Sequence, residues 1–322
     1  MLIFGAKVLK IIVMRNSLSN THPFSKLIFS LFIIFLSFLV FIIVGIIIAI
    51  PVFNINIFEL QNVLSDVANP ENLVFLKYLQ TLQAFGLFIV PAFIIAYLFD
   101  TSSISYLAFK KNIAFSSILI VITIMLCSLP LINFLAKLNS EMQFPEFLKQ
   151  VEIWMKEKEN AAMEITEAFL KMDSVGMLAF NIFMIGILPA IGEELIFRGI
   201  LQRIFAEWTR NIHWGILIAS ILFSSMHMQF YGFVPRLILG VLFGYLFYWS
   251  GSIWVPITAH FINNTTAVIL YYFYADEISE QIDTFGVSKG TYVFLILSIL
   301  IVSYLLWDFY KRNKKITGEF SG

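Results

Sequence analysis

The chain has 322 residues, of which 59% are hydrophobic and only 13% charged, with a formal net charge of zero. That balance excludes a water-soluble fold built from amphipathic helices, and the lack of a basic field excludes nucleic acid as a ligand. The single cysteine, Cys127, excludes an intramolecular disulfide and a thiolate metal cluster, leaving a buried structural thiol.

The chain opens with MLIFGAKVLKIIVMR, a short apolar stretch broken by Lys7 and Lys10 and followed by no small-residue cleavage site. Residues 1–26 therefore read as an interfacial segment with its lysines among lipid headgroups. A spanning helix needs about 20 mostly apolar residues to cross about 30 Å of hydrocarbon. Eight runs qualify, at about 27–50, 74–98, 114–137, 176–202, 213–231, 233–249, 252–274 and 290–310. The expectation is an all-α fold, a polytopic bundle of about eight transmembrane helices. Between the third and fourth runs, the loop 138–175 sets Leu148, Val151 and Met155 at helical spacing among many Glu and Lys, so it should hold an amphipathic helix on the outer surface.

The segments divide into an N-terminal interfacial part (1–26), N-terminal spans with the acidic loop (27–175), a core (176–274), and a last span with a basic tail (275–322). Twelve basic residues (Lys7, Lys10, Arg15, Lys26, Lys110, Lys111, Arg203, Arg210, Lys311, Arg312, Lys314 and Lys315) fall on one side of this arrangement. Eight (Lys77, Lys137, Lys149, Lys156, Lys158, Lys171, Arg236 and Lys289) fall on the other. The positive-inside rule then places both termini in the cytoplasm. Short loops and the lack of disulfides suit a bacterial inner membrane.

Ionisable groups at membrane depth cost about 2.5–3.5 kcal/mol each, so a chain keeps them where they are paired or used. Here they are concentrated in three spans. The fourth contains Gly192-Glu193-Glu194-Leu195-Ile196-Phe197-Arg198-Gly199 after Pro189, the fifth contains Phe223 and His227, and the seventh contains His260-Phe261-Ile262-Asn263-Asn264. Glu194 and Arg198, at i and i+4 in acid-first order, can form a salt bridge on one face, and this is most simply a structural pair. Glu193, turned about 100° away, is the carboxylate left without a local partner. His260 and Asn264 also sit at i and i+4, and Phe223 lies one turn before His227. The other two histidines, His22 and His213, lie near span edges.

One membrane histidine is more often an interhelical hydrogen bonder than a catalyst. Three constellations with complementary acid and base groups favour a reaction or ion site. A carboxylate and a histidine around one water can make a nucleophile, while His260 and Asn264 offer N–H groups to an oxyanion. Alternatively Glu193, His227 and His260 could ligate one zinc ion with an open position. The residues leave both open, so the cofactor is either none or zinc.

In order, Glu193-Glu194-x-x-x-Arg198, Phe223-x-x-x-His227 and His260-x-x-x-Asn264 resemble the three motifs of the CPBP family, with Phe197-Arg198-Gly199 and Gly251 through Ile257 adding to the likeness. That family includes type II CAAX prenyl endopeptidases and bacteriocin-processing or bacteriocin-immunity proteins. The resemblance covers about 176–270. It implies an intramembrane endopeptidase acting on a membrane-associated peptide or protein, of prenylated CAAX or leader type. In it the residues matching Glu193 and His227 activate water, those matching His260 and Asn264 stabilise the oxyanion, and Glu194, Arg198 and Phe223 support them. A metal-free glutamate mechanism is favoured slightly over a zinc one. The rival readings are a non-catalytic immunity or scaffold protein of the same fold and an ion or proton transporter, although no inverted repeat supports the latter.

One difficulty is depth. With straight spans, Glu193 and His260 fall roughly 6–12 Å from the cytoplasmic edge and His227 roughly 20 Å in. Convergence therefore requires a kink near Pro189 and Gly192 or a 203–213 hairpin that projects from the membrane.

Overall fold

The computed structural model describes residues 15–67, 69–274, 285–288 and 290–313. The expected interfacial stretch before Arg15 and the basic tail after Asn313 lie outside the described residues. Among the described residues every regular element is helical, because in hydrocarbon a segment must satisfy its own backbone hydrogen bonds. The principal helices are α1 Pro23–Phe53, α2 Pro70–Phe99, α3 Phe115–Cys127, α4 Leu129–Ser140 and α5 Lys149–Leu170. They continue with α6 Val175–Thr209, α7 Ile212–Met226, α8 Phe233–Ser250, α9 Trp254–Tyr274 and α10 Tyr292–Asn313.

Each of the eight expected runs falls on helix, with α3 and α4 making one run bent by 44°. Five helices are long and apolar enough to cross a bilayer, or six if the bent pair is one span. Helix α7 is only 15 residues long, and α9 interrupts its apolar run with His260, Asn263, Asn264 and two threonines. Eight is thus the number of helical runs in the bundle, and the number long and apolar enough to cross is smaller.

Helix α1 shows why this is a membrane protein. Its buried residues are Lys26, Ser30, Ser37, Gly45 and Ala49, while Phe32, Phe35, Ile43 and Ile47 are exposed. Small residues face the protein and large apolar ones face outward, the arrangement that packing in lipid favours and water does not. The chain is an integral membrane protein.

Helix α6 is the centre of the bundle, and residues 192–202 are all buried. It packs on α2, where a Cβ on Gly192 would lie 2.7 Å from Phe88 Cβ, and its C-terminal part forms a hairpin with α7. At 35 residues, α6 is about 52 Å long, roughly 20 Å more than the hydrocarbon thickness. That excess is enough to let the hairpin project, as one of the two depth solutions requires. Its tip is Arg210, at φ 52°, followed by Asn211, whose Oδ1 caps α7 by accepting from His213 N at 2.8 Å. Counted from that tip, Glu193 lies about 17 residues back along α6 and His227 about 16 residues on, so both sit about 25 Å down at 1.5 Å per residue.

Helix α7 stops at Met226, short of the expected Tyr231. Met228 takes a left-handed conformation, φ 53°, which ends the helix and puts His227 at its C-terminus. The turn that follows is held by Asn139 of α4, which donates to Phe230 O at 3.0 Å and accepts from Val234 N at 2.6 Å.

The expected amphipathic helix is α5. Leu148 and Met155 are half-buried, but Val151 is exposed. Glu152 turns inward instead, bound by Lys156 at 2.7 Å and Lys149 at 3.3 Å, and Glu159 accepts from Tyr231 N at 3.1 Å. The C-terminal end of α5 is tied down by Asn181 Nδ2, which donates to Phe169 O at 2.6 Å while Asn181 Oδ1 accepts from Lys77 at 3.2 Å.

Helices α7 and α8 approach through Gly240 and Gly244, one turn apart on α8. A Cβ at Gly244 would lie 2.7 Å from Ile216 and 2.9 Å from Gln202 Oε1. Gly244→Val should lower stability by about 1–3 kcal/mol through overpacking. Gly176→Ala, where the nearest atom is Ser174 Oγ at 3.9 Å, should leave it unchanged or raised, as thermal unfolding in detergent will show.

Candidate active site

The site is built outward from one buried carboxylate. Glu194 Oε1 accepts from Arg198 Nη1 at 2.8 Å and lies 2.8 Å from His260 Nδ1. Glu194, Arg198 and His260 are 0%, 1% and 4% exposed. The i, i+4 spacing on α6 makes the first contact, and α9 brings the second from 66 residues away.

Arg198 uses a further nitrogen, Nη2, to donate to Gly240 O at 3.0 Å. One turn on, Gln202 Nε2 donates to Gly244 O at 3.3 Å. Those carbonyls already serve α8, and they are reachable because neither glycine carries a side chain. The Arg198 guanidinium also lies 4.7 Å from the Phe223 ring centroid and 5.4 Å from that of Phe243, an arrangement that stabilises a desolvated cation.

Phe223 joins the parts. Its ring meets His227 at 5.4 Å and His260 at 5.8 Å, both edge-on, and Phe243 stacks on His260 at 5.4 Å. His227 Nδ1 lies 3.0 Å from Phe223 O. Since a carbonyl only accepts, Nδ1 carries the proton and Nε2 is left as the basic nitrogen.

Glu193 is buried, and its Oε2 has no hydrogen-bond partner among the described residues. Glu194, Arg198 and His260 are all near enough for their charges to act on it. Glu194 Oε2 is likewise without a partner, so the two adjacent carboxylates each present one open, buried oxygen at this level, and such atoms call for a strain, ligand or catalytic explanation.

Asn264 is placed by a defect in α6. Pro189 has no N–H, so the carbonyl four residues earlier, Ile185 O, loses its helical donor. The backbone there widens into a π-helical turn over Ile182–Ile187, and Asn264 Nδ2 donates to Ile185 O at 3.0 Å. Its Oδ1 accepts from Asn263 Nδ2 at 3.2 Å. One N–H of the amide is thus engaged and one remains. Gly186 admits α9 at this level, since a Cβ there would lie 2.5 Å from Thr265 Oγ1.

Among the described residues no three His, Cys, Asp or Glu side chains are grouped to hold a metal ion. His260 Nδ1 is turned to Glu194 and His227 Nδ1 to a carbonyl, which leaves Nε2 open on both rings.

The network includes residues the motif spacing did not indicate. Gly240, Gly244 and Phe243 were legible as a Gly-x-x-x-Gly step on α8, a sign of close helix approach in membranes. The bond from Glu194 to His260 had no sequence signal.

Beside His227, an apolar groove of about 460 Å³ is lined by Met155, Trp154, Met228 and Phe230, with Ser225 and Gln229 as polar members. It opens between α5 and the turn after α7.

If Pro189 creates the need for Asn264, restoring the backbone donor should remove it. Asn264→Ala should cost about 1–3 kcal/mol in the natural chain, the penalty for an unsatisfied buried carbonyl. In the Pro189→Ala background it should cost clearly less, which a double-mutant cycle of thermal unfolding will measure.

Residues 175–266 match the family described as type II CAAX prenyl endopeptidase, Rce1-like. Two curated relatives come from Bacillus subtilis (strain 168). The uncharacterized protein YpbD is 33% identical over 86 residues, 26% of this chain and 41% of YpbD. The putative membrane peptidase YdiL is 34% identical over 107 residues, 33% of this chain and 43% of YdiL. The chain thus spans about two fifths of the length of each relative. No solved structure matches it. The matched segment contains the whole Glu194–Arg198–His260 network with Glu193, His227 and Asn264, and over that segment the chain is similar to the Rce1-like type II CAAX prenyl endopeptidases.

Proposed function

We propose that the chain is an intramembrane endopeptidase that cuts membrane-associated peptides by a metal-free glutamate mechanism. The observation that carries this reading is the unpartnered Glu193 Oε2, buried beside an ion-paired histidine network. The family match and the peptidase relative support the reaction class.

In this reading a water molecule lies between Glu193 and His227. Glu193 takes one proton as general base while His227 Nε2 accepts the other hydrogen bond and orients the attack. The water oxygen adds to the scissile carbonyl. His260, protonated at both nitrogens and fixed through Nδ1 on Glu194, donates from Nε2 to the oxyanion, and the second N–H of Asn264 joins it. Collapse of the intermediate breaks the C–N bond, and Glu193 returns its proton to the leaving amine. Glu194 and Arg198 touch no reacting atom; they hold His260 in position.

The apolar groove beside His227 suits a lipidated or strongly apolar peptide, of prenylated or leader type. Among the described residues, Arg15, Lys26, Lys110, Lys111, Arg203, Arg210, Lys311 and Arg312 cluster at one end of the bundle. The acidic α5 region lies at the other. The basic end is assigned to the cytoplasm of a bacterial inner membrane, with both termini on that side.

The test is cleavage of fluorogenic prenylated and leader peptides by detergent-purified protein, with melting temperature read on each variant. Glu193→Gln should lose at least about 100-fold in kcat while keeping its melting temperature. Glu194→Gln should lower the melting temperature markedly, since removing one partner of a buried ion pair costs about 3–5 kcal/mol. Chelator should leave wild-type activity unchanged. Equal activity of wild type and Glu193→Gln would sink the assignment, and zinc-restored activity after chelation would replace the mechanism with a metal-dependent one.

A further inference from the structure

A second cavity, of about 320 Å³, lies at the basic end of the bundle, away from the His227 turn. Its lining includes Lys110, Lys111, Arg203 and Ser105, with Phe247 and Gly251 completing the wall and no carboxylate among the lining residues. The nearby Glu207, one turn along α6 from Arg203, is already bound by Lys26 at 2.9 and 2.8 Å.

The cations are held by fixed structure. Arg203 donates to Tyr106 O and lies 4.3 Å from the Tyr106 ring centroid. The segment bearing the lysines is tied to the start of α9 by Ile253 N–H on Ala108 O and Trp254 Nε1 on Phe109 O, both at 3.3 Å. Gly251 ends α8 at φ 64°. A Cβ there would lie 2.8 Å from Lys111 Nζ, so the glycine also makes room for that side chain.

Lys111 beside the last turn of α8 complements the helix dipole. That role does not account for Lys110, which is on no helix end, or for Arg203, which lies within the α6 helix. Three positive charges around one small cavity, with a planar guanidinium fork among them, match a group that carries more than one acceptor oxygen and at least one negative charge. The cavity also lies beside the α6–α7 hairpin, at the basic end that the positive-inside rule assigns to the cytoplasmic headgroups.

We propose that this cavity binds a phosphate group, supplied by an anionic phospholipid headgroup or by a soluble phosphate compound. The site is separate from the proposed reaction centre, and its occupancy does not depend on peptidase activity.

The test uses the full chain. Native mass spectrometry and thermal unfolding are read in phosphatidylcholine nanodiscs with and without phosphatidylglycerol, and in detergent with added pyrophosphate. Saturable, stabilising binding of phosphatidylglycerol alone identifies a lipid site, and stabilisation by pyrophosphate as well identifies a site open to soluble phosphate. Lys110→Gln, at an exposed position, should weaken binding roughly fivefold, and Lys110→Gln with Lys111→Gln roughly 20-fold, at about one lipid-facing charge each. The control, Lys311→Gln with Arg312→Gln, removes two charges from the same end of the bundle and should bind as wild type. No saturable binding of either phosphate source, unchanged binding by the double variant, or equal loss in the control would overturn the proposal.

Discussion

The bundle depends on keeping two opposite charges, Glu194 and Arg198, almost fully buried inside a membrane protein. Removing two such ions from water costs several kcal/mol each even after relaxation, and their mutual attraction offsets this only when every remaining donor and acceptor is engaged. The surrounding structure can be derived from that requirement. Arg198 needs a second acceptor, so α8 must bring a carbonyl within 3.0 Å; the carbonyl is reachable only if α8 is bare there, hence Gly240. The two guanidinium faces need a polarisable cover, and Phe223 and Phe243 supply it. Glu194 Oε1 has a lone pair left after Arg198, and His260 takes it. The charge pair therefore fixes the positions of α7, α8 and α9 relative to α6.

The same economy explains how the polar residues reach one level. Because α6 exceeds the hydrocarbon thickness by about four turns, its hairpin with α7 can return the chain to the depth of Glu193 as α7 ends, and His227 follows there as the C-cap. Gly215 makes the hairpin tight: a Cβ would lie 2.7 Å from Gln202 O. Pro189 acts on the other side of Glu193. By removing one backbone donor it exposes Ile185 O, and among the described residues the polar side chain bonded to that atom is Asn264. A residue type usually regarded as a helix breaker here recruits a neighbouring helix, and α6 stays continuous by widening into a π turn.

Much of the fold was legible because hydrophobic length is a strong signal in lipid. The eight runs, the helix in the acidic loop and the Glu194–Arg198 pair follow from spacing alone. What spacing could not give was where helices end and what crosses between them. Nothing in Met226-His227-Met228 announces a helix end, since the left-handed residue is a methionine and carries no glycine signal. The run through Tyr231 looked like one span because Met226, Met228 and Phe230 carry apolar residues past His227 and Gln229. Val151 matched the apolar period of α5 yet faces outward, because Glu152, neutralised by two lysines, takes the inward position. The Glu194–His260 contact joins residues 66 positions apart, and only the packing of α9 on α6 creates it. A zinc set drawn from Glu193, His227 and His260 was consistent with residue types, but the three side chains are not grouped as a ligand set among the described residues.

Two adjacent glutamates in one buried helix are chemically identical, and their environments divide the work between them. Helical rotation turns Glu194 toward Arg198 and α9, where its Oε1 is held by a guanidinium and an imidazole. Glu193 faces away from that network, close enough to feel its charges but with Oε2 bonded to none of the described residues. Both carboxylates keep an unbonded Oε2 among the described residues, but Glu194 commits its Oε1 to Arg198 and His260, which makes it the positioning group of the two. The structural glutamate is therefore what makes its neighbour useful: by binding Arg198 it keeps the strongest nearby cation from pairing with Glu193, and by binding His260 it fixes the imidazole that would face the substrate. Exchanging the two roles would require rotating α6 by about 100°, which would move Arg198 away from Gly240 and dismantle the packing that buries the site.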